Sequence, residues 1–171
     1  VKKPLGSEDG KGYVFTGKDE RGENRLYWQP FSGGERIRLD LRPMHDRNAL
    51  HYPAYILDYR WAANGQQLAV IGAERSKYSG RQLDFRYFIV EPHIPKTTLL
   101  PQSLGDQLLS VMWLPQGNGL IFSGSELRGS TYHLLLKRLE LPSMKIRSLE
   151  DPHASLTSPN FLFIQKLYWM P

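Results

Sequence analysis

Cysteine is absent from the 171 residues, so disulfides and thiolate metal sites are excluded, while the compartment stays open because cytosol and periplasm both suit such a chain. Long apolar runs are missing too: none approaches the ~20 residues that a membrane-spanning helix needs. No signal-peptide pattern opens the chain, which begins with Val rather than Met, as a processed or excised piece would. Amphipathic helical spacing is not sustained over three turns anywhere, which argues against a helical fold. The marks of common active sites are also lacking. There is no Gly-x-Ser-x-Gly elbow for nucleophilic catalysis, and Gly33-Gly34 lacks the Lys-Ser/Thr and helix of a phosphate loop. Ser123 and Ser125, beside Gly124, read as turn formers at a strand end, and Asp19-Glu20 and Glu150-Asp151 as solvated loop carboxylates. His45, His51, His93, His133 and His153 read as surface loop residues. Only His45, Asp46 and His51 lie close enough together to merit a metal test, and no metal site is expected there. The expectation is no catalytic residue, no cofactor and no metal.

Charge of one sign is in modest excess, at +5. The basic residues are scattered, and Arg36, Arg38 and Arg42 alternate with apolar neighbours, as on a solvated strand face. A nucleic-acid partner needs a concentrated basic surface, so none is expected. Arg also interrupts aromatic residues in Tyr59-Arg60-Trp61 and Phe85-Arg86-Tyr87. Strand alternation sends the rings to one face and Arg to the other, which suits core packing better than base stacking.

What the chain does contain is abundant turn and strand chemistry, with 15 Gly, 12 Pro and 12% aromatic residues. Its organising stretch is Val111-Met112-Trp113-Leu114-Pro115-Gln116-Gly117, followed by Asn118 to Gly124. Tyr59 to Gly72 repeats it: Trp61, Gly65 and Gly72 stand where Trp113, Gly117 and Gly124 stand, an offset of 52 residues. Gly10 and Gly17 carry the back half again, 55 residues before Gly65 and Gly72, and Trp169 carries the front half, 56 residues after Trp113. A period in this range marks repeated supersecondary units, none able to bury its own apolar face.

In chain order, residues 1–8 read as polar and loose. Strands are expected at Tyr13–Phe15, Arg25–Phe31 and Arg36–Leu41, giving a first unit of three strands that spans residues 9–43. A second unit, residues 55–101, has four: Tyr55–Trp61, Leu68–Ile71, Phe85–Val90 and Thr97–Leu100. A third, residues 107–150, has Leu108–Trp113, Leu120–Ser123, Tyr132–Leu139 and Lys145–Leu149, with a turn at Leu141–Met144. Residues 160–171 begin a partial fourth unit. The fold class is all-β, built from four-stranded antiparallel units.

Trp113-Leu-Pro-Gln-Gly117-Asn-Gly-Leu-Ile-Phe-Ser-Gly124 resembles the Trp-Ser-Pro-Asp-Gly-Lys-x-Ile-Ala-Phe motif of TolB-like, or PD40, β-propeller repeats, with Asn64 and Gln116 in place of the Asp before Gly. Leu26 to Leu39 resembles the strand, Gly-Gly turn and strand that close such a blade. The resemblance covers residues 9–169 and implies propeller blades, about three and a partial one. On this reading the chain starts at the second strand of one blade and stops at the first strand of another, so that Phe161–Trp169 would pair beside Tyr13–Phe15. Three arrangements stay open: part of a longer propeller chain, two copies joined by strand exchange, or an open stack of sheets.

The resemblance also implies a function class. TolB-like repeats occur in periplasmic proteins, in sensor halves of membrane-bound winged-helix regulators, and in the gating domains of serine peptidases whose catalytic domain is separate. The leading expectation is a non-catalytic protein-interaction or sensing module with a protein or peptide partner, extracytoplasmic by the same resemblance; the alternative is a substrate-gating propeller. Three longer loops, residues 18–24, 43–54 and 73–84, are the variable parts of the scaffold. Glu74, Arg75, Lys77, Tyr78 and Arg81 in the last of them are the candidate partner-binding residues.

Overall fold

The computed structural model describes residues 3–41, 55–75, 83–94, 96–105 and 107–149. They form three four-stranded antiparallel sheets, each with its strands in chain order. The first comprises β1 (Leu5–Gly6), β2 (Gly12–Lys18), β3 (Asn24–Pro30) and β4 (Ile37–Arg38). The second comprises β5 (Tyr55–Trp61), β6 (Leu68–Arg75), β7 (Leu83–Glu91) and β8 (Lys96–Leu99). The third comprises β9 (Leu108–Trp113), β10 (Gly119–Arg128), β11 (Thr131–Glu140) and β12 (Lys145–Ser148). A short 3-10 helix, Gln102–Leu104, links the second sheet to the third and buries Leu104. The sequence pattern carries no sign of this helix.

Each sheet is too thin to shelter its own apolar residues, and the two cores lie between sheets. Val14, Leu26 and Trp28 of the first sheet pack with Tyr59, Trp61, Leu68, Val70 and Phe88 of the second. On the other side of the second sheet, Ala69, Ile71, Tyr87 and Ile89 pack with Val111, Trp113, Leu120 and Phe122 of the third. Strand alternation explains this division, because Leu68 and Val70 point one way from β6, and Ala69 and Ile71 the other. The second sheet is therefore buried on both faces.

The structure corrects the sequence reading in four places. Leu5–Gly6 is a strand rather than part of a loose leader, so the first sheet has four strands and holds its first-strand position. Leu5 packs against the first core, and the Ser7 hydroxyl receives the amide N–H groups of Lys11 and Gly12, each at 3.2 Å, organising the hairpin. Leu5 and Gly6 pair with Val14 and Tyr13, the edge that closure by Phe161–Trp169 would use; residues 161–169 themselves lie outside the described residues. β4 is shorter than the alternation suggests: Ile37 and Arg38 pair, the Leu39 amide still donates to the Leu26 carbonyl at 2.9 Å, and Leu39 and Leu41 are buried in the core shared with the second sheet. The loop expected at 73–84 is narrower, since Glu74 and Arg75 pair with Asp84 and Leu83. Charge does not stop a strand whose ladder runs on beyond the core. Finally, Ser123 is not at a strand end but in the middle of β10, fully buried.

Candidate interaction rims

In an up-and-down sheet the first and third turns share one end, and the second turn shares the other end with the connection to the next sheet. Applied to the three sheets, this separates the molecule into two rims of different character.

The first rim is made of tight turns. Gly10, Gly65 and Gly117 occupy the same place in the first hairpin of each sheet, at φ +68°, +67° and +70°, a left-handed conformation that glycine enters at little cost. Here the first two sheets touch through polar groups. The Asp9 carboxylate lies 3.3 Å from the Lys11 ammonium and 3.6 Å from His93 Nε2. Burial pushes the Asp9 pKa up, but the Ser7 hydroxyl and the Lys11 amide and ammonium outweigh it and hold the carboxyl below its usual range. His93 meets Trp28 edge-on, with centroids 5.0 Å apart, and Trp28 meets Trp61 at 5.4 Å. The sequence reading of His93 as an ordinary loop residue misses this contact, because the partners are 65 or more residues away in the chain. Phe31 and Ile94, at the third turn of the first and second sheets, stand exposed on this rim.

The cassette tryptophans tie the sheets together just below it. Trp61 donates its indole N–H to the Leu5 carbonyl (3.2 Å), and Trp113 donates to the Arg60 carbonyl (2.9 Å). Leu5 and Arg60 are equivalent positions, so the same bond recurs from one sheet to the next. Trp169 lies outside the described residues. A second tie is Asp58, which is buried and accepts hydrogen bonds from the Ser110 hydroxyl (3.3 Å) and the Val111 amide (3.1 Å) of the following sheet. Its other oxygen is 3.6 Å from Arg60. Beside it, burial and the Asp58 charge push the Tyr59 pKa up, and Tyr59 donates its hydroxyl to the Lys3 carbonyl at 3.1 Å. The second cassette glycines have a separate reason. Gly72 and Gly124 each lie opposite a bulge in the first strand, where Leu57 and Leu109 are passed over in the pairing. A Cβ on Gly124 would meet the Gln107 carbonyl oxygen at 2.0 Å. Gly17, their equivalent in the first sheet, lies against the Tyr27 ring instead.

The second rim gathers the longer loops. Lys18 and Asn24, Arg75 and Leu83, and the junction from the first sheet into Tyr55 all emerge at this end, which brings the loops expected to vary to one side of the molecule. In residues 19–23, Asp19 Oδ1 accepts the amides of Arg21 and Glu23, both at 2.9 Å, and its second oxygen is 3.1 Å from Arg25 Nε. The Glu23 amide, together with the Arg21 amide and the charge of Arg25, holds the Asp19 pKa below its usual value. Arg25 also pairs with Glu23. Tyr55, Leu109 and Leu149 are exposed around this end. Of the candidate partner-binding residues, Glu74 and Arg75 close β6 at this rim, and Lys77, Tyr78 and Arg81 lie outside the described residues. So do His45, Asp46 and His51. Among the described residues, no group of three His, Cys, Asp or Glu is placed to hold a metal, and no helix is long and apolar enough to cross a membrane.

Solved structures share this arrangement of stacked four-stranded sheets. TolB from Acinetobacter baumannii superposes with a TM-score of 0.57 at 18% identity, over 88% of this chain and 32% of its own. The fold is that of a TolB-like β-propeller. The β-propeller domain of the Trilobed protease from Pyrococcus furiosus, described as having an open velcro topology, gives a TM-score of 0.58 at 13% identity over 89% of this chain and 42% of its own. The acylaminoacyl peptidase of Pyrococcus horikoshii gives 0.54 at 10% identity over 88% of this chain and 25% of its own. The chain thus spans well under half the length of each of these proteins. No family model and no curated protein matches the sequence.

Proposed function

We propose that this TolB-like propeller segment is a non-catalytic interaction or sensing module that takes a protein or peptide partner on its loop rim. One observation carries the reading: the topology delivers the loops after Lys18, after Leu41 and after Arg75 to the same end of a rigid stack, where Tyr55, Leu109 and Leu149 are exposed. Loops on a fixed scaffold are where recognition is usually built. An extracytoplasmic setting, as the sensor part of a membrane-bound regulator, goes with this reading and is checked by alkaline phosphatase fusion in the native host. The binding test is selection of displayed peptides on the full chain. Replacing residues 76–82 by Gly-Ser should weaken the selected binders at least about tenfold, a hot-spot-sized loss, while Phe31→Ser on the opposite rim leaves them unchanged. Binders sensitive to Phe31→Ser and indifferent to the loop would refute the assignment.

A second reading has support in the similarity to the Pyrococcus peptidases: a propeller that gates access to a hydrolase domain. A hydrolase segment with a nucleophile elbow in the same reading frame would favour it.

A further inference from the structure

The third sheet has a length of strand edge left open by a turn inside the chain. β9 pairs with β10 from Leu120 to Gly124, whereas β10 and β11 stay paired out to Arg128 and Thr131. β12 pairs with β11 from Lys137 to Glu140. Residues 125–128 and 131–135 therefore project from the loop rim as a two-stranded ribbon. The stop in β9 is fixed from within the molecule. Gly105 and Gln107 turn the chain away with φ of +92° and +68°. The Tyr87 hydroxyl holds that turn, donating to the Gly105 carbonyl at 2.9 Å and accepting the Leu108 amide at 3.3 Å.

Antiparallel pairing identifies the backbone groups on the open edge. A residue turns its N–H and C=O toward the same neighbouring strand, and successive residues alternate. The Gly119 carbonyl accepts the Leu114 amide on the β9 side, and the Asn118 carbonyl accepts the Leu141 amide on the β11 side, both at 2.9 Å. The register with β11 is unbroken from Gly119 to Arg128. The amides and carbonyls of Ser125 and Leu127 thus face the β9 side, where no described residue pairs with them. Glu126 and Arg128 direct theirs to His133 and Thr131.

We propose that this edge takes an extended segment of the loop-rim partner as an added strand in line with β9, an assignment that rests on the interaction reading of that rim. An edge of alternating donors and acceptors selects an extended backbone, and pockets beside it select alternate side chains. Leu109, which the bulge in β9 leaves unpaired next to this edge, is exposed, as is Tyr55 at the same end of the inner strand β5. Together they give an apolar side chain of the added strand a place to pack. The partner that fits is a linear segment bearing a large apolar residue.

The test is amide exchange followed by nuclear magnetic resonance on the full chain, free and with the tightest linear peptide selected by display. In the free chain Ser125 and Leu127 should exchange at least about tenfold faster than Glu126 and Arg128, and the peptide should slow them at least about tenfold. Methylating the peptide's backbone nitrogens one at a time should weaken binding at every second position. Ser125→Pro removes a donor that faces the edge and should raise the peptide Kd at least about tenfold, with circular dichroism checking that the strands remain. Ser125 and Leu127 amides that are already slow in the free chain overturn the proposal, because another part of this chain then covers the edge. A peptide that needs residues 76–82 yet leaves both amides fast also overturns it, while the interaction reading stands. A peptide that depends on Phe31 instead, or a selection that yields no binder, overturns both. Should Ser125→Pro fail to fold, exchange and methylation with the unaltered chain still decide.

Discussion

Two glycines with the same backbone conformation make unequal demands at the level of single residues. Gly65 and Gly117 both turn the first hairpin of a sheet with φ near +70°, and a left-handed residue with a side chain costs about 1–2 kcal/mol. A Cβ on Gly117 meets nothing within 4 Å, whereas one on Gly65 meets the Asp9 backbone nitrogen at 2.5 Å. Gly117→Ala should therefore lose about 1 kcal/mol in urea unfolding. Gly65→Ala should lose that and roughly 1–3 kcal/mol more, for pushing the first sheet off the second. Equal losses would mean that the Asp9 contact yields freely. Asp58 gives a second contrast, since its carboxylate satisfies the Ser110 hydroxyl and the Val111 amide across a sheet junction. Asp58→Ala leaves buried donors unpaired and should cost about 3 kcal/mol. Asp58→Asn keeps an acceptor oxygen and should cost about 1 kcal/mol. Tyrosine fluorescence or circular dichroism during denaturant titration reads both.

The hairpin is the element that the sequence states best, because its signal is local. Asp9-Gly10, Asn64-Gly65 and the Gln116-Gly117 variant all mark first hairpins, and Leu108–Trp113 matches β9 in full, since alternation and turn chemistry act within a few residues. Features set by distant partners leave no such trace. Leu5–Gly6 looks like a loose leader until Val14 and Tyr13 are placed beside it, and the ladder of β6 runs on through Glu74 and Arg75 because Asp84 and Leu83 face them. Ser123 reads as a turn residue because Gly124 and Ser125 follow it, yet unbroken pairing with β11, where it faces Leu136, keeps it inside β10. The candidate site was legible in part: the loops could be found in the sequence, but their meeting at one rim depends on strand order. The Asp19 loop allows a direct check of element-scale electrostatics. Its carboxyl titrates below its unfolded value, so the stability it contributes is present above the unfolded pKa of about 3.9 and is lost as the pH falls through the lower folded value. Asp19→Asn should lower the urea midpoint by a constant amount near neutral pH, and the difference should vanish in strong acid. A difference that persists there would assign the effect to the side-chain shape and not to the charge.

At the scale of the whole molecule, stability should be graded along the stack. In repeat architectures each unit draws on its own folding tendency and on the interfaces with its neighbours, and here only the second sheet has a described neighbour on both faces. Amide exchange should therefore be slowest in β6 and β7, where Ala69, Val70, Ile71 and Phe88 are sealed from both sides, and faster in β4 and β12 at the outer edges. Trp113→Phe tests the coupling itself. It keeps an aromatic ring in the second core but removes the indole N–H that reaches the Arg60 carbonyl, leaving that acceptor without this partner at a cost of about 1–2 kcal/mol. If the sheets are coupled only through their shared faces, the variant should speed exchange in β9 to β11 and in the adjoining β5. It should leave β2 and β3 unchanged, because among the described residues the two cores join the first sheet to the second and the second to the third. Uniform acceleration across all three sheets would show instead that the stack opens as one cooperative unit, with Trp113 contributing to every part of it equally.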